Sequence, residues 1–171
     1  MSAVVAPLLR IPVGVVVERR KAASPWTDFV WRGTAVLPDE PDMAPWTVLR
    51  ELDEATLFYA GSAAIDLYRT ETARYRENLA TGAPQLWIVL GPSQGSWPYA
   101  VSAVTADPAE GEGFTEAGTN LVEAVAMPEM LREVIENFIA EHHVERQFVK
   151  RERSRADPEA LARRHHDGGH E

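Results

Sequence analysis

The chain has 171 residues, 45% of them apolar and 25% charged, enough for one domain with a real core. It contains no cysteine, which excludes disulfides, cysteine zinc sites and thiolate catalysis. The net charge of −9 is spread as −2 over residues 1–85, −9 over residues 86–145 and +2 over residues 146–171, so the body repels nucleic acid and anionic membranes while the C-terminal segment is basic.

No apolar run approaches the roughly 20 residues that cross a bilayer. The opening MSAVVAPLLRIPVGVVVERR has no basic leader, and Arg10 and Pro12 interrupt its apolar run. It therefore reads as the approach to a strand in a cytoplasmic protein, not as a signal peptide. Residues 11–19 are short and β-branched, which predicts a strand. Residues 26–37 (WTDFVWRGTAVL) predict a second, paired with the first as a hairpin. Three prolines in residues 38–45 demand a loop, and residues 46–52 follow as a short strand. Gly61-Ser62 between residues 56–60 and 64–68 reads as a hairpin turn.

Thr70 is the expected N-cap of a helix over residues 71–80, with Gly82 beyond its end. Residues 86–90 (LWIVL) form the most apolar strand, expected at a sheet centre, and residues 99–104 form another. Asp107-Pro108 starts a helix, the aspartate as cap and the proline in the first turn. Glu110 has the spacing to complete a capping box. Gly111 and Gly113 each weaken that helix by roughly 1 kcal/mol against alanine unless packing compensates. Residues 121–126 make the last strand. Residues 129–143 make the clearest helix, with Met130, Leu131, Val134, Ile135, Phe138 and Ile139 on one face.

These elements predict an α+β fold: one mainly antiparallel sheet with about three helices packed on it. The domain spans residues 1–145, and residues 146–171 form an extended or disordered basic tail with a helical turn near residues 158–164. Among the tryptophans, Trp26, Trp31 and Trp87 are expected in the core. Trp46 and Trp97, each beside a proline, are expected as lid packing or a binding ledge.

Gly91-Pro92-Ser93-Gln94-Gly95 is a literal G-x-S-x-G, the pattern of a hydrolase nucleophile. Such a serine needs a strand-to-helix bend. Here Trp97-Pro98 and another strand follow, so a polar turn is expected, although Asp107 and His142 or His143 come after Ser93 in triad order. His142-His143 and His165-His166 are adjacent pairs, which point about 100° apart on a helix and make poor metal ligands. No phosphate-binding glycine loop is present, and neither catalytic residues, metal nor cofactor are assigned. The segment RQFVKRERSR (residues 146–155) is the most functional-looking stretch, and Phe148, Lys150, Arg151 and Arg153 are its candidate partner contacts.

Taken together, IPVGVVVERR, PWTDFVWRGTAVLP, FYAGSAAIDLYRTETARYRENL, LWIVL, VTADPAE, VEAVAMPE and HHVERQFVKR resemble the uncharacterised bacterial family catalogued as domain of unknown function 3305. The likeness covers about residues 11–153. It implies no activity and no catalytic residues. It implies a genomic context close to molybdenum-dependent formate dehydrogenases and their accessory factors. The expected function is thus a non-enzymatic accessory protein binding a protein partner, such as a formate dehydrogenase subunit or assembly factor, with nucleic acid and membrane disfavoured. The alternative is a small enzyme or small-ligand binder near Trp46 and Trp97, with Ser93, Asp107 and His142 as the nucleophile-like set.

Overall fold

The computed structural model describes residues 5–143. The fold is α+β, with seven strands and three α-helices among the described residues: β1 (Leu9–Lys21), β2 (Phe29–Leu37), β3 (Thr47–Glu51), β4 (Ala55–Leu67), α1 (Thr72–Ala80), β5 (Gln85–Pro92), β6 (Tyr99–Thr105), α2 (Pro108–Glu116), β7 (Leu121–Ala126) and α3 (Glu129–His142). The strands divide between two antiparallel sheets where one was expected. Four strands are ordered β2-β1-β4-β3 and three are ordered β6-β5-β7.

The division follows from irregular pairing. Four of the five ladders shift register once, leaving Thr34, Ala60, Leu49 and Ser102 as the extra residues. Bulges bend and twist a strand, and here they curl the sheets around a shared core, with β2 running beside β7 and β4 beside β6. The bulge in β4 overturns the hairpin expected at Gly61-Ser62. Residues 55–67 are one long strand paired along its whole length with β1. Gly61 has φ 141°, a conformation L side chains rarely adopt, so it permits the bend rather than a reversal.

One core joins both sheets. Val13, Val15 and Val17 of β1 meet Leu86, Ile88 and Leu90 of β5, all fully buried. The sheets touch so closely at Gly33 that a Cβ there would lie 2.9 Å from Ile88 Cγ2. Strand β5 is central in its sheet, as its apolar run predicts.

The helices follow β4, β6 and β7 and so gather at one end of the strands. Leu131, Ile135 and Phe138 of α3 close that end with Tyr75 of α1. Met130 and Val134 fall outside this contact and stay exposed, against the broader buried face expected. A short 3₁₀ turn, Arg69–Glu71, leads into α1, so Thr70 lies inside the turn and makes no cap; Glu71 holds the N-cap position without a capping side chain. Among the described residues, no helix is long and apolar enough to cross a membrane.

Candidate functional site

Three surfaces bear on function: the β5–β6 connection carrying Ser93, a polar cleft between α1 and α2, and an aromatic cluster at the strand ends opposite the helices.

Strands β5 and β6 are antiparallel neighbours, paired Pro92↔Tyr99 at their open end. Ser93 therefore sits in a strand-to-strand turn, as expected from the sequence. Its backbone N–H donates to Pro98 O at 3.0 Å and its Oγ accepts from Gly95 N–H at 3.1 Å. The serine hydroxyl holds the turn, and no strand-to-helix bend presents it.

The other members of the nucleophile-like set are also committed. Asp107 caps α2, accepting from Ala109 N–H at 2.9 Å, and its side chain is only 5% exposed. Arg74 Nη1 pairs with its other oxygen at 3.3 Å. The reciprocal bond expected of Glu110 is made by Thr105 instead, whose Oγ1 accepts from Asp107 N–H at 3.1 Å. Burial, then the charges of Asp107, Asp66 and Glu71, push the Glu110 carboxyl above its ordinary range. Tyr68, Thr70, Glu71, Arg74, Asp107 and Glu110 line a cleft of about 500 Å³. Asp107 and Arg74 are bound to each other, and the Glu110 carboxyl beside them is raised by burial.

His142 packs its ring on Phe138 with centroids 4.7 Å apart. His143 is half-buried and ties α3 to α1. Arg76 Nη1 lies 3.2 Å from its Nε2, and Thr72 Oγ1 lies 3.0 Å from its Nδ1. A guanidinium only donates, so Nε2 accepts and Nδ1 carries the hydrogen toward Thr72. Among the described residues, no three His, Asp or Glu side chains converge as metal ligands would.

The aromatic cluster draws on both sheets. Trp31 of β2 lies 6.2 Å from Phe58 of β4 in a stacked arrangement and meets Trp46, Trp97 and Tyr99 edge-on or tilted. Trp46 and Trp97 stack on each other at 4.8 Å and 14°. Of the two roles expected for them, this is lid packing, not an open ledge. Arg19 lies over Phe29, Phe58 and Trp31 at 4.6, 5.0 and 5.7 Å from the ring centroids, a cation–π lid on the cluster. The register places Val17, Arg19, Trp31 and Gly33 on one face, so the signal was the two-residue alternation of β1 and β2. Trp87 lies under α2, and Trp26, expected in the core, is 90% exposed. Its position in the β1–β2 turn lifts it clear of the sheet.

With this geometry in view, the comparison with known families is decisive for kinship. The family described as "Protein of unknown function (DUF3305)" matches residues 12–152. The chain belongs to that family. No curated protein matches the chain, and no solved structure does. The family match takes in β1 to α3 apart from the first three residues of β1, and so every structural contact above except those of the N-terminal segment. It continues past Phe148, Lys150 and Arg151, which lie outside the described residues, as does Arg153 just beyond the match.

Proposed function

We propose that this protein is a non-catalytic accessory factor that docks on another protein, and that its partner is a subunit or assembly factor of a molybdenum-dependent formate dehydrogenase. The observation that carries the docking role is the concentration of exposed apolar side chains at one end of the four-stranded sheet. Trp26, Phe29 and Val30 come from the β1–β2 hairpin, and Val48, Leu49 and Leu52 from the β3–β4 hairpin. The two are held side by side where Lys21 N–H donates to Glu54 O at 2.9 Å. Clustered apolar exposure marks interaction surfaces, and an exposed tryptophan is the commonest kind of anchor.

The commitment of Ser93, Asp107 and His142 to turn, cap and packing supports a binding role over hydrolysis. The formate dehydrogenase partner rests on the family resemblance alone. The cysteine-free composition supports a cytoplasmic site of action. Phe148, Lys150, Arg151 and Arg153 are proposed as further partner contacts.

The test is affinity purification of the full chain from its native cell, with wild type and Trp26→Ser/Phe29→Ser compared by mass spectrometry. Formate dehydrogenase subunits or their assembly factors should co-purify with wild type and be lost with the variant. A strain lacking the gene should have reduced formate dehydrogenase activity, restored by wild type alone. Normal activity in that strain removes the maturation role, and equal capture by the variant removes the hairpin surface.

A further inference from the structure

The exposed apolar residues outside the hairpin end have a second centre. Leu8 and Leu9, at the start of β1, face Val134 and Phe138 of α3 across a groove of about 360 Å³, with Asn137, Glu141 and His142 on its rim. Met130, one turn before Val134, is 59% exposed. The apolar stripe of α3 is therefore wider than the core it covers, and its uncovered margin forms one wall of the groove.

We propose that this groove is occupied by the protein's own segment following α3, with Phe148 as the anchor. Four observations select that occupant. The last turn of α3 forms part of the groove, so the chain leaves His143 at its mouth. Phe148 is five residues further on, a reach of up to about 17 Å in extended chain, enough to fold back along the groove. The segment matches in chemistry: residues 146–155 carry five cations and one carboxylate around the apolar pair Phe148-Val149, while Glu133 and Glu141 stand exposed on α3. Finally, the family match runs nine residues beyond His143, to residue 152. The matched span thus takes in position 148.

Burial of the Phe148 ring against Leu8, Leu9 and Val134 supplies the apolar contact. Lys150, Arg151 and Arg153 then lie near the carboxylates of α3, in a long-range attraction that salt weakens. This docking does not rest on the partner reading, since it needs only the one chain. A partner that engages the same residues has to displace them.

The experiment is methyl NMR on the purified full-length chain, without any partner, comparing wild type with Phe148→Ala. Loss of the ring should shift the methyl resonances of Leu8, Leu9 and Val134, while those of Val17 and Val104 stay in place and report an intact fold. Reciprocally, Val134→Asp should abolish slowed amide exchange over residues 147–150. Groove methyls that stay in place in Phe148→Ala overturn the proposal. Shifts that fade on dilution also overturn it, because they assign the groove to a second copy.

Discussion

The backbone of Gly111 lies directly against the Trp87 indole: a Cβ built on the glycine would fall 2.5 Å from Trp87 Cγ. Helix α2 can approach β5 only because no side chain intervenes. Gly113, two residues on, has nothing within 4 Å of the same hypothetical atom. Alanine at both positions gains the same helix propensity, up to about 1 kcal/mol. At position 111 that gain is outweighed by overpacking, which typically costs about 1–3 kcal/mol. Urea unfolding should show Gly111→Ala less stable than wild type and Gly113→Ala more stable. If Gly111→Ala is stabilising, α2 does not rest on Trp87.

The cap of α2 makes a pH-dependent prediction. Glu110 has a folded-state pKa above its unfolded value, chiefly from burial and then from neighbouring carboxylates. Its contribution to stability is therefore fully present in acid, below the ordinary glutamate range. It is lost as pH rises through the raised value. Glu110→Gln keeps an oxygen for Thr105 and removes the charge. The variant should gain stability relative to wild type as pH goes from 4 to 7, by well under the cost of losing the cap, since the group is partly solvated. Asp107→Ala, by contrast, should cost about 0.5–2 kcal/mol at neutral pH through the lost N-cap. A Glu110→Gln difference that is flat with pH would mean that folding does not raise the Glu110 carboxyl.

Elements with a local cause were legible in the sequence. Asp107-Pro108 opens α2, the 3.6-residue period marks α3, and the apolar run of β5 identifies the central strand. The Ser93 turn was legible because Trp97-Pro98 and β6 follow it too soon for a helix. Long-range packing was not. Gly61 looks like a turn because glycine serves turns and bulges alike, and only the continuous ladder with β1 separates them. Trp26 and Trp31 belong to one stretch of sequence, yet one projects from a turn and the other joins both sheets. The aromatic cluster combines residues from four separate stretches whose convergence depends on two sheets curling together. The half-covered face of α3 shows the same difficulty: periodicity gives the apolar stripe, while the neighbours decide how much of it is buried.

Tyr75 predicts behaviour in alkali. Its ring is buried against Phe138, and its hydroxyl accepts from Tyr68 N–H at 3.0 Å. Burial raises its pKa to about 12, partly opposed by that hydrogen bond. The unfolded chain releases the phenol proton near the ordinary tyrosine value of about 10. Tyr75 thus contributes stability that is complete below that pH and declines as pH rises toward 12. Ultraviolet titration should show a phenol ionising near pH 12, and Tyr75→Phe should remove it. The same variant leaves the Tyr68 N–H without its acceptor, at a cost of about 1–3 kcal/mol at neutral pH. An unchanged late titration in Tyr75→Phe would assign the late phenol elsewhere.

Trp46 is the described non-glycine residue with positive φ, 67°. A bulky residue held there costs on the order of 1–3 kcal/mol. Two contacts offset that cost: its N–H donates to Tyr59 O, and its ring stacks on Trp97. Trp97 also meets Trp31 and Phe58 edge-on, so the β5–β6 turn clasps the start of β3 from above. Trp97→Ala removes one of the two restraints on a strained residue. The aromatic pair alone is worth about 0.5–1.5 kcal/mol beyond its area. Because Trp97 is half-buried, the total loss should fall near 2 kcal/mol, below the roughly 3–5 kcal/mol of a fully buried tryptophan. The local consequence separates this account from generic loss of packing. Strand β3 is an exposed edge with β4 as its partner, so releasing Trp46 should speed amide exchange through residues 47–51 more than in β1 or β5. Trp31→Ala should instead loosen both sheets together, because Trp31 packs against residues of each. Uniform exchange changes in both variants would mean that the Trp46–Trp97 stack does not control the β3 edge.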